Sequence, residues 1–275
     1  MSDHEITKME EGDLKAPKSQ KDLGFFSSPE VVQTIQKVIA EVIGTYFLIF
    51  AGCCAVVLNK VGESKGTITF PGIAIVWGLS VMILVYSLGH ISGAHFNPAV
   101  TISFAVYRQF PLKQVPMYMV AQLLGSILAS GTLCLLFDID EKSFFGTIPA
   151  GSHGQSLAFE IIASFLLMFV ISAVSTDNRA IGELAGIAVG MTIMVDVFMA
   201  GPVSGASMNP ARSIGPALVM HNYHGIWVYI IGPFAGTFLG SSAYNLIRFT
   251  DKPLSELSRS SSFLKSVSRS RASFQ

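Results

Sequence analysis

Two stretches decide the fold: SGAHFNPAVT at residues 92–101 and SGASMNPARS at residues 204–213. In each an Asn precedes a Pro, the pattern of a helix capped by Asn with Pro at its first position. From Asn97 the run NPAVTISFAVY has 11 residues, a rise of about 16 Å at about 1.5 Å per residue. That is about half of a bilayer core roughly 30 Å thick. Two further pairs recur in the same order: EVIGTYFLIF from Glu41 with EIIASFLLMF from Glu160, and GIAIVWG from Gly72 with GIAVGMT from Gly186. The three pairs stand 119, 114 and 112 residues apart in chain order, so the chain is an internal repeat. Each half holds three long apolar segments, and because three is odd the second copy enters the membrane from the opposite side. An inverted repeat places a shared site near the bilayer midplane, built from half-helices that point at it. Two half-helices from opposite faces would together make a seventh, discontinuous span. Irregular backbone survives at that depth only where protein packs it or water reaches it, which predicts a water-lined path.

Composition agrees with a membrane protein. Of 275 residues, 51% are hydrophobic and 13% charged, against roughly 25% charged in soluble domains. Six apolar runs of spanning length cover approximately 38–58, 73–91, 115–137, 157–174, 184–200 and 226–247. They lack the polar outward faces that a soluble helical bundle needs. The 18 basic and 18 acidic residues cancel, so no net charge attracts nucleic acid. The amino-terminal segment, the connections after the second and fourth spans, and the carboxy-terminal segment together carry 14 of the 18 Lys and Arg. By the positive-inside rule both termini are cytoplasmic. Cys53, Cys54 and Cys134 offer neither a disulfide framework nor a metal site, and no cofactor is implied. The polar first 30 residues contain no signal-peptide apolar region.

On the paired Asn97-Pro98-Ala99 and Asn209-Pro210-Ala211 motifs within six inverted-repeat spans, the chain resembles the aquaporin, or major intrinsic protein, family. AGC at 51–53, FPGIAIVWG from Phe70 and FPLKQVP from Phe110 further resemble its plant nodulin-26-like (NIP) subfamily. The resemblance implies an all-α, right-handed bundle of six transmembrane helices plus two re-entrant half-helices. It also implies a homotetramer and a passive, nonenzymatic channel for water and glycerol-like neutral solutes that excludes protons and ions. Expected boundaries are a disordered tail over 1–35, a channel domain over 36–250 with repeats at about 36–137 and 155–248, and a regulatory tail over 251–275.

By the same resemblance Asn97 and Asn209 donate hydrogen bonds to a permeant oxygen, besides capping their helices. The positive ends of the half-helix dipoles repel cations there. Arg212, costly in a membrane interior without a function, matches the family's aromatic/arginine constriction. Alignment brings it Trp77, Val197 and Ala206 as partners. Water-selective relatives have His where Val197 stands. Val197 and Ala206 make the ring wider and apolar on one side, suiting a solute with hydroxyls along one edge, as glycerol has. Trp77 has a second reading, as an anchor at the membrane interface. Ser213 and Ala217 look more like the water channels, so the glycerol rate stays open.

The acids Glu41 and Glu160 hold equivalent places in the repeat and read as braces for the backbone amides of the re-entrant loops. Asp196 has no counterpart; it reads either as a solvated group of the outer vestibule or as an influence on Arg212. His90 and His95 read as structural hydrogen-bonding groups. In the tail, Arg259-Ser-Ser-Ser262 places a base three residues before a serine, and KPLSELSRSSSFLK resembles the phosphorylated tail of the subfamily, which singles out Ser262 for a protein kinase. Anionic lipid is an alternative partner for this basic cluster. A secondary transporter, also built from inverted repeats, would expose acids at the midplane, where this chain has asparagines. Ammonia, urea, lactic acid and metalloid acids stay open as further solutes, and the plasma, endoplasmic reticulum or symbiosome membrane as residence.

Overall fold

A computed structural model describes residues 28–61, 65–140 and 143–248. Its helices are α1 (Pro29–Lys60), α2 (Thr69–Ser92), α3 (Pro98–Val106), α4 (Val115–Leu136), α5 (His153–Thr176), α6 (Ala185–Ser204), α7 (Pro210–Met220) and α8 (Val228–Ile247). Six are long and two, α3 and α7, are half-length. Five helical segments are both long and apolar enough to cross a membrane. The sixth long helix, α8, has 20 residues but is less apolar, because Gly232, Pro233, Gly236, Thr237, Gly240 and Ser241 form its buried side. Small residues there let it lie close to α5, a packing requirement that a hydropathy scan reads as weakness.

Helix boundaries differ from those expected in both directions. The first helix starts at Pro29 rather than near Val38, with Pro at its first turn and Glu30 complementing the helix dipole. Residues 29–35, expected within a disordered tail, are therefore helical: the apolar scan saw only the part of the helix that lipid requires. The first half-helix is nine residues long, not eleven, and ends where Arg108 takes a positive φ of 59°. The tail positions 1–27 and 249–275, with Ser262, lie outside the described residues.

The packing repeats the sequence symmetry. In each half the first long helix packs on the last, α1 on α4 and α5 on α8, and on the second, α1 on α2 and α5 on α6. The halves join through α2 on α6 and by exchange, α7 against α4 and α3 against α8. At the α2/α6 crossing a Cβ on Gly78 would lie 2.5 Å from the Gly190 carbonyl oxygen, and one on Gly190 would lie 2.6 Å from that of Gly78. Glycine at both positions is what lets the two backbones touch, as membrane helix interfaces require. The half-helices α3 and α7 meet at the centre.

Candidate functional site

The loops that lead into α3 and α7 share an unusual backbone. Gly93, Ala94 and Phe96 have φ of 90°, 51° and 49°; Gly205, Ala206 and Met208 have 83°, 48° and 54°. Left-handed conformations at non-glycine residues cost of order 1–3 kcal/mol each and persist only where the surroundings impose them. Here two buried carboxylates, both fully inaccessible to solvent, supply the constraint. Glu41 accepts from Ser92 Oγ at 2.7 Å, the His95 N–H at 3.0 Å, the Phe96 N–H at 2.7 Å and Gln122 Nε2 at 2.8 Å. Glu160 accepts from Ser204 Oγ at 2.6 Å and from the N–H groups of Ser207 and Met208, both at 2.8 Å. Each serine in turn accepts from the N–H two residues on, at Ala94 and Ala206.

Two tyrosines complete this frame. Tyr118 and Tyr229 donate to the carbonyls of Ser92 and Ser204, each at 2.7 Å. Sequence reasoning missed that pairing, although the repeat carried its signal: VPMYMVAQ from Val115 and IWVYIIGP from Ile226 place the tyrosines in register. Gln122, which joins Glu41 to Thr101, has no such signal, because Pro233 stands opposite it in that register.

The two asparagines close the centre crosswise. Asn97 Oδ1 caps α3 by accepting from the Ala99 N–H at 2.9 Å, while its Nδ2 donates to the Met208 carbonyl at 2.7 Å. Asn209 Oδ1 accepts from the Ala211 N–H at 2.9 Å, and its Nδ2 donates to the Phe96 carbonyl at 2.8 Å. Each amide nitrogen carries two hydrogens, so each keeps one beyond the bond to the opposite loop. Both side chains line a cavity of about 70 Å³, together with Trp77, Val197, Ala206 and Arg212. The six side chains named from the sequence as contacting the solute thus border one space. A second cavity of about 520 Å³ shares Val85, Ala94, His95, Val100, Ile171 and Val189 with the first and widens toward Gln109, Thr176 and Arg248.

Arg212 is 5% exposed. Its Nη2 reaches the Gly205 carbonyl at 3.4 Å, its Cζ stands 4.8 Å from the Trp77 ring centre, and Nε and Nη1 have no protein partner. A buried guanidinium with open donors is costly unless something polar arrives to meet them. Trp77 is buried, packed so closely that a Cβ on Gly52 would lie 2.3 Å from its ring. That position overturns its reading as an interface anchor; Trp227, 41% exposed, is the tryptophan at the surface. A further unanticipated element is the segment before α5. Thr147 donates to Ser213 Oγ at 2.7 Å, Lys60 Nζ to the Phe144 carbonyl at 2.6 Å, and the Ala150 N–H to the Val203 carbonyl at 3.0 Å. These bonds fix the segment beside α7, next to Arg212.

Asp196 departs from expectation. It is fully inaccessible to solvent, and neither carboxylate oxygen has a hydrogen-bond partner, so it is not a solvated vestibule group; nor does it border the cavity that holds Arg212. His95 forms a 3.1 Å contact with Thr101 Oγ1 and packs among Phe104, Phe110 and Tyr118, whereas His90 stands exposed at the end of α2. At the other end of the bundle from Lys60, Asp177 accepts from the Arg179 side chain at 2.6 Å and from Tyr244 at 2.9 Å, with Arg248 Nε 4.0 Å away. The Arg179 hydrogen bonds hold its carboxyl well below the usual carboxylate range.

Comparison with known proteins places this geometry. A probable aquaporin NIP-type from Nicotiana alata is 63% identical over 96% of this chain and 97% of the relative. Nodulin-26 from Glycine max is 59% identical over 87% of this chain and 88% of its own. Among solved structures, the aquaglyceroporin from Plasmodium falciparum aligns with a TM-score of 0.69 at 25% identity, over 78% of this chain and 96% of that one. Residues 28–244 match the family described as major intrinsic protein. With that match across most of its length and two inverted, asparagine-capped half-helices meeting at its centre, the chain belongs to the major intrinsic protein family.

Proposed function

We propose that the chain is a passive membrane channel for water and small neutral solutes such as glycerol, closed to protons and ions. The observation that carries this reading is the crossed pair of asparagines at the meeting of two half-helix amino termini, in one cavity with Trp77, Val197, Ala206 and Arg212. Each amino terminus contributes the equivalent of about half a positive charge, so the centre repels cations. The free amide hydrogens of Asn97 and Asn209 bind a passing oxygen as acceptor. A water held by both donors turns its own hydrogens away from its neighbours along the file, which interrupts proton transfer.

Arg212 offers Nε and Nη1 to solute hydroxyls, replacing hydration lost on entry. Val197 and Ala206 face the carbon edge of a polyol, and Trp77 bounds the ring beneath the guanidinium. Glu41 and Glu160 brace the loops that aim the asparagines. The names of the relatives and of the solved aquaglyceroporin point the same way, and the family is one of channels rather than enzymes. The family's apolar helices make the chain an integral, multi-pass membrane protein. Its termini face the cytoplasm on the strength of Arg108, Lys113, Arg179 and Arg248 gathered at one end. Assembly is as a homotetramer, and the serine-rich tail with Ser262 is a kinase substrate.

Stopped-flow light scattering of proteoliposomes tests the reading. Rapid shrinkage in sucrose and rapid reswelling in glycerol, with no proton current under ionophore control, are expected. Absence of both fluxes from reconstituted protein refutes it, and water flux without glycerol flux removes the role given to Val197 and Ala206.

A further inference from the structure

Two histidines far apart in the chain come together at the end of the bundle where α5 and α8 begin. His153 is the first residue of α5, held by Ser152, whose Oγ accepts from the Gln155 N–H at 3.1 Å. His224 precedes α8, and its N–H donates to Asn222 Oδ1 at 3.3 Å. Their ring centres are 5.4 Å apart, and the Trp227 ring stands 5.8 Å from that of His153. Gly225, at a φ of +67°, makes the approach: a Cβ there would lie 2.6 Å from Pro149 and 3.5 Å from His153 Nε2. The backbone on both sides is therefore fixed, while His224 is exposed and His153 half-buried.

The spacing has a chemical meaning. A Zn–N bond is about 2.0–2.1 Å, and the imidazole centre lies about 1.2 Å behind the nitrogen, so two imidazoles at the tetrahedral angle have ring centres about 5.2 Å apart. The observed 5.4 Å agrees without moving either backbone. Neither residues 143–156 nor residues 218–233 contain a Lys or Arg, so neither segment itself contributes a cation to oppose a metal. We propose that His153 and His224 form a surface site for a divalent transition ion of the zinc, nickel or copper class, which imidazole prefers over magnesium or calcium.

Among the described residues no group of three His, Cys, Asp or Glu converges, so water completes the coordination and the site is an exchanging one, not a structural zinc centre. The ion bridges the start of α5 to the lead-in of α8. Through Thr147 and Ala150 the segment before α5 is already bonded to Ser213 and Val203, so occupancy bears on the frame around Arg212.

Titration calorimetry of the full-length, tag-free protein in detergent with Zn²⁺ alone tests it, in a His4→Gln background to silence the one histidine outside the described residues. One saturable site is expected, unaffected by millimolar Mg²⁺ or Ca²⁺ and weakened about tenfold or more by His224→Gln or by His153→Ala. His224→Gln alters an exposed residue, which separates loss of a ligand from loss of fold. His221→Asn serves as the neighbouring-histidine control and should leave the isotherm unchanged. Absence of saturable binding, or binding that survives both His224→Gln and His153→Ala, overturns the proposal.

Discussion

Replacing Glu160 by Gln tests whether a buried carboxylate sets the shape of the second re-entrant loop. In the parent, Oε1 takes the Ser204 hydroxyl and the Ser207 N–H, and Oε2 takes the Met208 N–H. A glutamine keeps one acceptor oxygen. With that oxygen at the Oε1 position, its NH₂ faces the Met208 N–H, donor against donor; turned the other way, it faces two donors and the loss is greater. A buried unsatisfied N–H costs about 1–3 kcal/mol, and the two surviving bonds lose their charge assistance. Burying a neutral amide in place of a carboxylate offsets part of this, leaving a net destabilisation of about 1–3 kcal/mol. The functional effect is larger than that figure suggests. Met208 sits at a φ of 54° and its carbonyl accepts the Asn97 amide at 2.7 Å, so a loop that relaxes at Met208 releases Asn97 in the other half. Lower thermal stability in detergent and a several-fold fall in both water and glycerol permeability per reconstituted protein are expected. Glu41→Gln should cost at least as much, because the Phe96 N–H is stranded and Gln122 can offer its Oε1 to the new amide only by giving up its bond to Thr101 and moving Nε2 to the place where Oε1 has no partner. Glu160→Gln protein that melts and conducts like the parent would refute the bracing argument.

Val197→His narrows the ring and adds a donor opposite Arg212; glycerol permeability should drop at least tenfold with water flux retained, and unchanged glycerol reswelling counts against the filter assignment. Gly78→Ala sets a methyl 2.5 Å from the Gly190 carbonyl, so α2 and α6 must part, at a cost of about 1–3 kcal/mol; an unaltered melting temperature would contradict that crossing. Asp177, whose carboxyl is held below its usual range by Arg179, contributes stability that is fully present above the ordinary carboxylate pKa of about 4 and is lost as pH falls through the folded value. The stability gap between the parent and Asp177→Asn should therefore stay level from pH 8 to pH 5 and close only on further acidification. A gap that widens with acid has the wrong sign.

The parts of this molecule legible in the sequence are those where a local rule acts alone. Asn followed by Pro specifies a capped helix start, and α3 and α7 begin where that rule puts them. Apolar runs mark the membrane helices, α8 among them, although its small residues answer to α5 rather than to lipid. The contacts of Glu41 and Glu160 also follow from burial, since a carboxylate in a membrane interior must find donors. What escaped were groups whose partners are set by tertiary approach. Nothing near Thr147 or Lys60 announces that the segment before α5 folds against α7, and nothing near Asp196 announces a carboxyl buried without a partner. The histidine pair joins residues 71 positions apart that belong to no repeat.

The repeat also shows how the two ends of the cavity come to differ. With the loops aligned at 112 residues, most cavity-lining residues have a counterpart that lines the same cavity: Val81 with Ile193, Val85 with Val197, Ala94 with Ala206, His95 with Ser207, Phe96 with Met208, Asn97 with Asn209, Val100 with Arg212, and Trp77 with Val189 across the Gly78/Gly190 crossing. At the centre the symmetry is kept, and it must be, because two opposed dipoles and two crossed amides give a barrier equally high from either side. Away from the asparagines several pairs break it, the largest differences being Val100 against Arg212, Val189 against Trp77 and His95 against Ser207. One end has Val85, Ala94, Val100 and Val189, with His95 as its polar side chain. The other substitutes Trp for Val189 and Arg for Val100, and so gains a cation, open N–H donors and a ring to bound them. The two loops share their backbone geometry, so the ends differ through their side chains, with Arg212 and Trp77 on one side against Val100, Val189 and His95 on the other. Arg212 is tolerable in that position because the fold has already placed the Gly205 carbonyl and Trp77 beside it, and it borders the cavity with Nε and Nη1 open.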